Sequence, residues 1–176
     1  MDCVIFDIDG TLSDPTHRLH YLTGPKKSLH QFLSRMEDDP VIPHIAEILR
    51  SVLKKNDCIV LFLTARDKSY RTITLRWLWD KFPELQTSSY GLLMRKQNDI
   101  RSDVVVKEEW LVKIIDTMGY DVRVAFEDRD SVIEMYKKYD IFTIKVGDVE
   151  DFDPYKLIGD ENDTIGLWYK KGSKYE

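Results

Sequence analysis

Two aspartates stand one residue apart at the end of a short apolar run, Cys3-Val-Ile-Phe-Asp7-Ile-Asp9-Gly10-Thr11. If Val4 to Phe6 is a strand, alternation turns Asp7 and Asp9 toward the same side at its carboxyl end. Two like charges so close need a cation. Gly10 permits a tight backbone turn, and the amides after it, that of Thr11 included, can form a small nest for phosphate oxygens. Such a nest beside paired carboxylates suits a phosphoryl group under attack. An Asp-x-Asp-Gly turn alone is also a common solvated turn, so the rest of the chain decides.

Three further places carry suitable groups. Thr64 ends a second apolar run, Leu61-Phe-Leu-Thr64-Ala65-Arg66, where its hydroxyl can donate to a phosphate and Arg66 can donate as a two-pronged guanidinium. Lys107, in Asp103-Val-Val-Val-Lys107-Glu-Glu, lies near the start of a helix-like stretch, where the helix dipole disfavours a cation unless an anion is near. Glu127 and Asp128 follow the apolar run Val122 to Phe126 and precede Arg129.

These residues need a scaffold that gathers strand ends. Val4 to Phe6 and Ile59 to Leu63 are continuous apolar runs rich in β-branched residues, the pattern of strands covered on both faces. Between them Ile45, Ile48, Leu49, Val52 and Leu53 recur at helical spacing. Ile73, Leu75, Trp77, Leu78 and Phe82 predict another helix, and Tyr90 to Met94 a third strand. Val104 to Met118 predicts a helix stopped by Gly119. Val122 to Phe126 and Ile141 to Val146 then flank a helix over Val132 to Tyr139. The alternation predicts one α/β domain over residues 1–176, a doubly wound parallel sheet whose ligands bind beyond the carboxyl ends of its strands. Residues 12–39, with Leu19, Tyr21, Leu22, Leu29, Phe32, Leu33 and Met36, are expected to form a small helical cap inserted after the first strand. Residues 147–176 form an aperiodic extension in which Ile165 to Tyr169 is a candidate edge strand. Trp77, Trp79 and Tyr70 are assigned to core packing rather than to base stacking.

The string Phe-Asp7-Ile-Asp9-Gly10-Thr11-Leu-Ser resembles the first motif of the haloacid dehalogenase superfamily. That resemblance implies a Rossmann-like fold, Asp7 as nucleophile and Asp9 as general acid and base. It makes Thr64 the second motif, Lys107 the third and the Glu127-Asp128 pair the fourth. It further implies Mg²⁺ held by Asp7, the backbone carbonyl of Asp9, Asp128 and, through a longer side chain than is usual there, Glu127. Hard oxygen ligands without His or Cys suit Mg²⁺ rather than zinc. The stretch Leu93-Met-Arg95-Lys-Gln-Asn-Asp-Ile-Arg-Ser-Asp-Val-Val-Val-Lys107 and the later Ala125-Phe-Glu127-Asp128-Arg129-Asp-Ser-Val resemble the 3′-phosphatase domains of the phage polynucleotide kinase family. The implied substrate is a 3′-phosphate on DNA, RNA or a nucleotide. Gly10, Thr11, Ala65 and Arg66 would contact it, with Arg66, Arg95 and Arg129 as basic groups around the rim. No Gly-x-x-x-x-Gly-Lys-Ser/Thr loop is present, so no kinase half is expected in this chain.

Composition bounds these expectations. Against 26 Lys and Arg stand 31 Asp and Glu, a net charge of -5 that argues against coating nucleic acid by bulk electrostatics. Two cysteines at the starts of apolar runs fit small buried thiols and a reducing, cytoplasmic setting. No apolar run approaches the ~20 residues of a membrane span. Three rival readings stay open: a phosphatase of small metabolites, a phosphotransferase in which an organic acceptor replaces water, and a silent domain that binds phosphorylated ends or a partner.

Overall fold

The computed structural model describes residues 1–23 and 26–147. Five strands form one sheet: β1 (Asp2–Phe6), β2 (Ile59–Asp67), β3 (Tyr90–Arg95), β4 (Asp121–Glu127) and β5 (Thr143–Lys145). All pair in parallel, in the order β3-β2-β1-β4-β5. The chain winds outward from β1 through β2 to β3, then returns to lay β4 on the other side of β1. The switch in direction therefore falls between β1 and β4, where an open α/β sheet leaves its ligand crevice.

The strands are covered on both faces, which is why their sequences read as unbroken apolar runs. Val4, Phe6, Val60 and Phe62 turn to one layer with α3 (Pro43–Lys55) and α4 (Arg71–Lys81). Cys3, Ile5, Leu61 and Leu63 turn to the other, where Leu111, Val132, Met135 and Tyr136 of α5 (Asp103–Val112) and α6 (Asp130–Lys137) pack. Phe6 and Phe126 stack across β1 and β4 at 4.4 Å. Pro43 opens α3, and Asn56 closes it in the left-handed conformation at φ 51°.

Two elements depart from their sequence outlines. β2 does not stop at Thr64: it runs to Asp67, and its register against β3 shifts between Thr64 and Asp67. Such a bulge bends the strand and re-aims its last side chains. The helix expected to run to Met118 is regular only to Val112, after which Lys113–Thr117 form a π turn ending before Gly119 at φ 66°.

Between β1 and β2, the described residues of 12–39 include two short α-helices, α1 (His20–Thr23) and α2 (Leu29–Ser34). Leu19, Leu22, Phe32, Leu33 and Met36 make a small core of their own, against which Tyr70 and Ile73 of the main body pack. Trp77 is buried as expected, but Trp79 is 48% exposed and donates its indole N–H to the Tyr90 hydroxyl at 2.8 Å. The candidate strand over Ile165 to Tyr169 and the whole 148–176 extension lie outside the described residues. Among the described residues no helix is long and apolar enough to cross a membrane.

Candidate active site

The ends of β1, β2 and β4 bring the predicted residues together. Asp7 follows β1 and is buried, as are Thr64 in β2 and Glu127 and Asp128 at and after the end of β4. Lys107 enters from the second turn of α5, fully buried. Its Nζ donates to Asp7 Oδ1 at 2.7 Å and to Glu127 Oε2 at 2.6 Å. The anion that the placement of Lys107 calls for is thus Asp7 itself.

Asp7, Glu127 and Asp128 bring one carboxylate oxygen each to within 4.8 Å of one another. Burial pushes the Asp7 carboxyl up to about 7, Lys107 pulling against it and Glu127 adding repulsion. Burial likewise raises Asp128 well above the usual carboxylate range, with Glu127 and Asp7 adding to it. Dry carboxylates this close call for a cation. Asp128 Oδ1 is buried with no hydrogen-bond partner, which fits a hard divalent ion. Glu127 differs: Oε2 is taken by Lys107 and Oε1 accepts the Arg129 backbone N–H at 3.3 Å. Its extra methylene carries the carboxylate to the lysine.

Gly10 is required here for two reasons. Its φ is +85°, and a Cβ on it would stand 2.3 Å from Asp128 Oδ2. The nest expected after it is absent, however. The chain folds back on itself, so the Gly10 N–H goes to Ser13 O, and those of Thr11, Leu12 and Ser13 all go to Ile8 O. Thr11 Oγ1 is buried without a partner, and Thr64 Oγ1 accepts the Arg66 N–H at 3.2 Å.

The arginines also depart from the expected basic rim. Arg66 is 1% exposed and clamps Asp9, Nε to Oδ2 at 2.7 Å and Nη2 to Oδ1 at 2.9 Å. Arg95 is fully buried: it donates to Ala65 O at 2.9 Å and Asp99 O at 3.0 Å, and pairs with Asp103, bracing the loop before α5. Arg129 pairs with the other oxygen of Asp103. The bulge in β2 and the turn into α5 fold these side chains inward, an arrangement that position at a strand end does not reveal.

Two residues escaped the sequence reading. Arg18, fully buried within the 12–39 insert, contacts Asp9 Oδ1 and grips Asp39 with Nε and Nη2, both at 2.7 Å. Its guanidinium lies 4.1 Å from the centre of the Phe32 ring. The one hint in the sequence is that Arg18 directly precedes the apolar Leu19, with Leu22 one turn further on. Burial works against charge on Asp9, yet Arg66 and Arg18 outweigh it and hold this carboxyl well below its usual range. Its side chain keeps 30% of its surface open to solvent, more than Asp7, Glu127 or Asp128.

With this geometry in place, the likeness to known proteins is specific. The chain is 26% identical over 141 residues to a putative bifunctional polynucleotide kinase/RNA ligase of Autographa californica nuclear polyhedrosis virus, a match covering 80% of this chain and 18% of that protein. A solved Pnkp1/Rnl/Hen1 complex contains a chain superposing with TM-score 0.64 and 28% identity, over 84% of this chain and 46% of that one. The chain thus spans less than half the length of either. A haloacid dehalogenase-like hydrolase from Streptococcus pneumoniae shares the fold at TM-score 0.57 and 12% identity, over 90% of this chain and 97% of that one. The model of the polynucleotide kinase PNKP phosphatase domain matches residues 1–152, and by that match this chain is a phosphatase domain belonging to that family.

Proposed function

We propose that the domain removes a phosphate from the 3′ end of a nucleic acid or nucleotide, with Asp7 as nucleophile and Mg²⁺ as cofactor. The observation that carries this reading is the buried pair of Lys107 and Asp7, 2.7 Å apart, with Asp9 two residues away in reach of solvent. The family match and the relative named a polynucleotide kinase/RNA ligase support a polynucleotide substrate.

An Asp7 carboxylate oxygen attacks phosphorus, the ester P–O bond breaks and an aspartyl phosphate forms; water then cleaves the acyl phosphate and regenerates Asp7. Lys107 fixes the orientation of Asp7 and offsets part of its charge. Asp9 serves the departing and attacking oxygens. In the free protein its two guanidiniums keep it ionised, the form that takes a proton from water. A bound phosphate offers those guanidiniums a second anion and so frees Asp9 to carry the proton that the leaving oxygen requires. Asp7, Asp128 and the Asp9 carbonyl would hold Mg²⁺, which when bound offsets the negative charge gathered around the phosphoryl group. Thr64, buried in β2, would donate its hydroxyl to the phosphate.

The test supplies one oligonucleotide with a 3′- or a 5′-phosphate, with and without Mg²⁺, and measures phosphate release by wild type and Asp7→Asn. Release from the 3′ end alone, dependent on Mg²⁺ and absent in the variant, is expected. Equal release from both ends would refute 3′ selectivity, and activity surviving in Asp7→Asn would refute the mechanism.

A further inference from the structure

Asp9, Arg18, Asp39 and Arg66 form a closed ring of alternating charge. Arg18 bridges Asp9 and Asp39, and Arg66 clamps Asp9 and reaches Asp39 Oδ2 at 3.4 Å. Asp39 is fully buried, at the point where the 12–39 insert rejoins the body, and its backbone carbonyl accepts the Trp77 indole N–H at 2.8 Å. His17, 39% exposed in its side chain, contacts Asp39 Oδ1 at 2.8 Å from the solvent side. Ser13 Oγ and Thr74 Oγ1 complete the donors and acceptors around Arg66, at 3.3 and 3.5 Å.

We infer that Asp39 is a positioning residue for phosphoryl transfer: it ties the insert's Arg18 and the body's Arg66 into one unit and sets how much of their charge reaches Asp9 and an incoming phosphate. The inference rests on reading Asp7 and Asp9 as a phosphoryl-transfer site and does not depend on 3′ selectivity. Two guanidiniums facing a single carboxylate would repel each other and lean wholly on Asp9. Asp39 brings the four-group ring to neutrality and takes three of its ion contacts. Without its charge the guanidiniums lose the anchor that fixes their planes, and a phosphate meets a more positive site. An uncharged residue at position 39 should therefore bind phosphate more tightly and turn over more slowly. A side chain that merely held the fold together would weaken both.

Asp39→Asn keeps the backbone contact to Trp77 and removes the charge. With p-nitrophenyl phosphate and Mg²⁺, kcat is expected to fall about 100-fold, the scale of a displaced catalytic group. Inorganic phosphate should bind on the order of 5-fold more tightly by calorimetry, as one charge fewer nearby implies. Asp39→Glu, which restores the charge on a longer arm, should recover part of kcat and return phosphate affinity toward wild type; it carries the test if the Asn variant does not fold. Unchanged kcat in Asp39→Asn, or kcat and phosphate affinity falling together with no recovery in Asp39→Glu, would overturn the inference while leaving the phosphatase reading intact. Absence of turnover in the wild type on this substrate and on both oligonucleotides would instead defeat that reading, and this inference with it.

Discussion

Lys107 Nζ lies 2.7 Å from Asp7 Oδ1 although the two residues are 100 positions apart in the chain. Both are buried, and Lys107 also holds Glu127, so one ammonium offsets two carboxylates. Burial works against its charge, but Asp7 and Glu127 outweigh that and raise its proton affinity well above the ordinary lysine range. Lys107→Met strands both acids in a dry site. We expect it to abolish turnover and to cost about 3–5 kcal/mol of stability at pH 7 without Mg²⁺, the usual result of removing one partner from a buried pair. Urea unfolding measures this, and an unchanged midpoint would contradict the account of the pair.

Acid and metal should stabilise the same group. The Asp7 carboxyl rises from 3.8 to about 7 on folding without metal, so between those values the folded state holds a proton that the unfolded chain has lost. Stability from this group is therefore full below about pH 4 and declines as pH rises to about 7. Asp128 moves in the same direction. Asp9 moves oppositely, but its effect falls below its ordinary carboxylate value and outside this window. Metal-free protein should show a Tm that drops from pH 5 to pH 8. Added Mg²⁺ should raise Tm much more at pH 8 than at pH 5; equal gains at both would argue against a site built on Asp7 and Asp128.

Legibility in the sequence followed locality. β1, β2 and β4 were readable because strands covered on both faces leave unbroken apolar runs, and Asp7, Thr64 and Asp128 were readable because they end or follow those runs. Lys107 stood out as a cation near a helix start. Arg18 and Asp39 were not readable: they meet across 21 positions of a segment whose period is weak, and Asp39 looks like any polar residue before a proline. At Arg95 the sequence displays a strand end, which predicts a place on the rim, but it does not display the return of Asp103 to meet it.

Asp9→Asn removes the group that the two guanidiniums clamp. We expect a loss of about 10²- to 10⁴-fold in kcat, the range for a general acid and base. Acid-quenched reactions with labelled substrate would check it. Loss of less than tenfold would remove Asp9 from proton transfer.

Gly10→Ala tests the fit against Asp128. The added methyl meets Asp128 Oδ2 at 2.3 Å, and the residue must keep φ near +85°. We expect a stability loss of about 1–3 kcal/mol from the strained backbone. Displacement of Asp128 should also weaken Mg²⁺ binding, read as a smaller rise in Tm on adding the ion. Wild-type response to Mg²⁺ in this variant would take Asp128 out of the metal shell.

The sheet order that lays β4 against β1 also fixes when the site can exist during synthesis. Asp7 and Asp9 leave the ribosome well before Lys107, which lies 100 positions after Asp7, and before the still later Asp128. At about 5–20 residues per second, β1 waits on the order of ten seconds for the neighbour that completes it. A chain halted after β3 has β1, β2 and both guanidiniums, yet no lysine for Asp7 and no Asp128. The site can therefore be completed only once both α5 and β4 have been made.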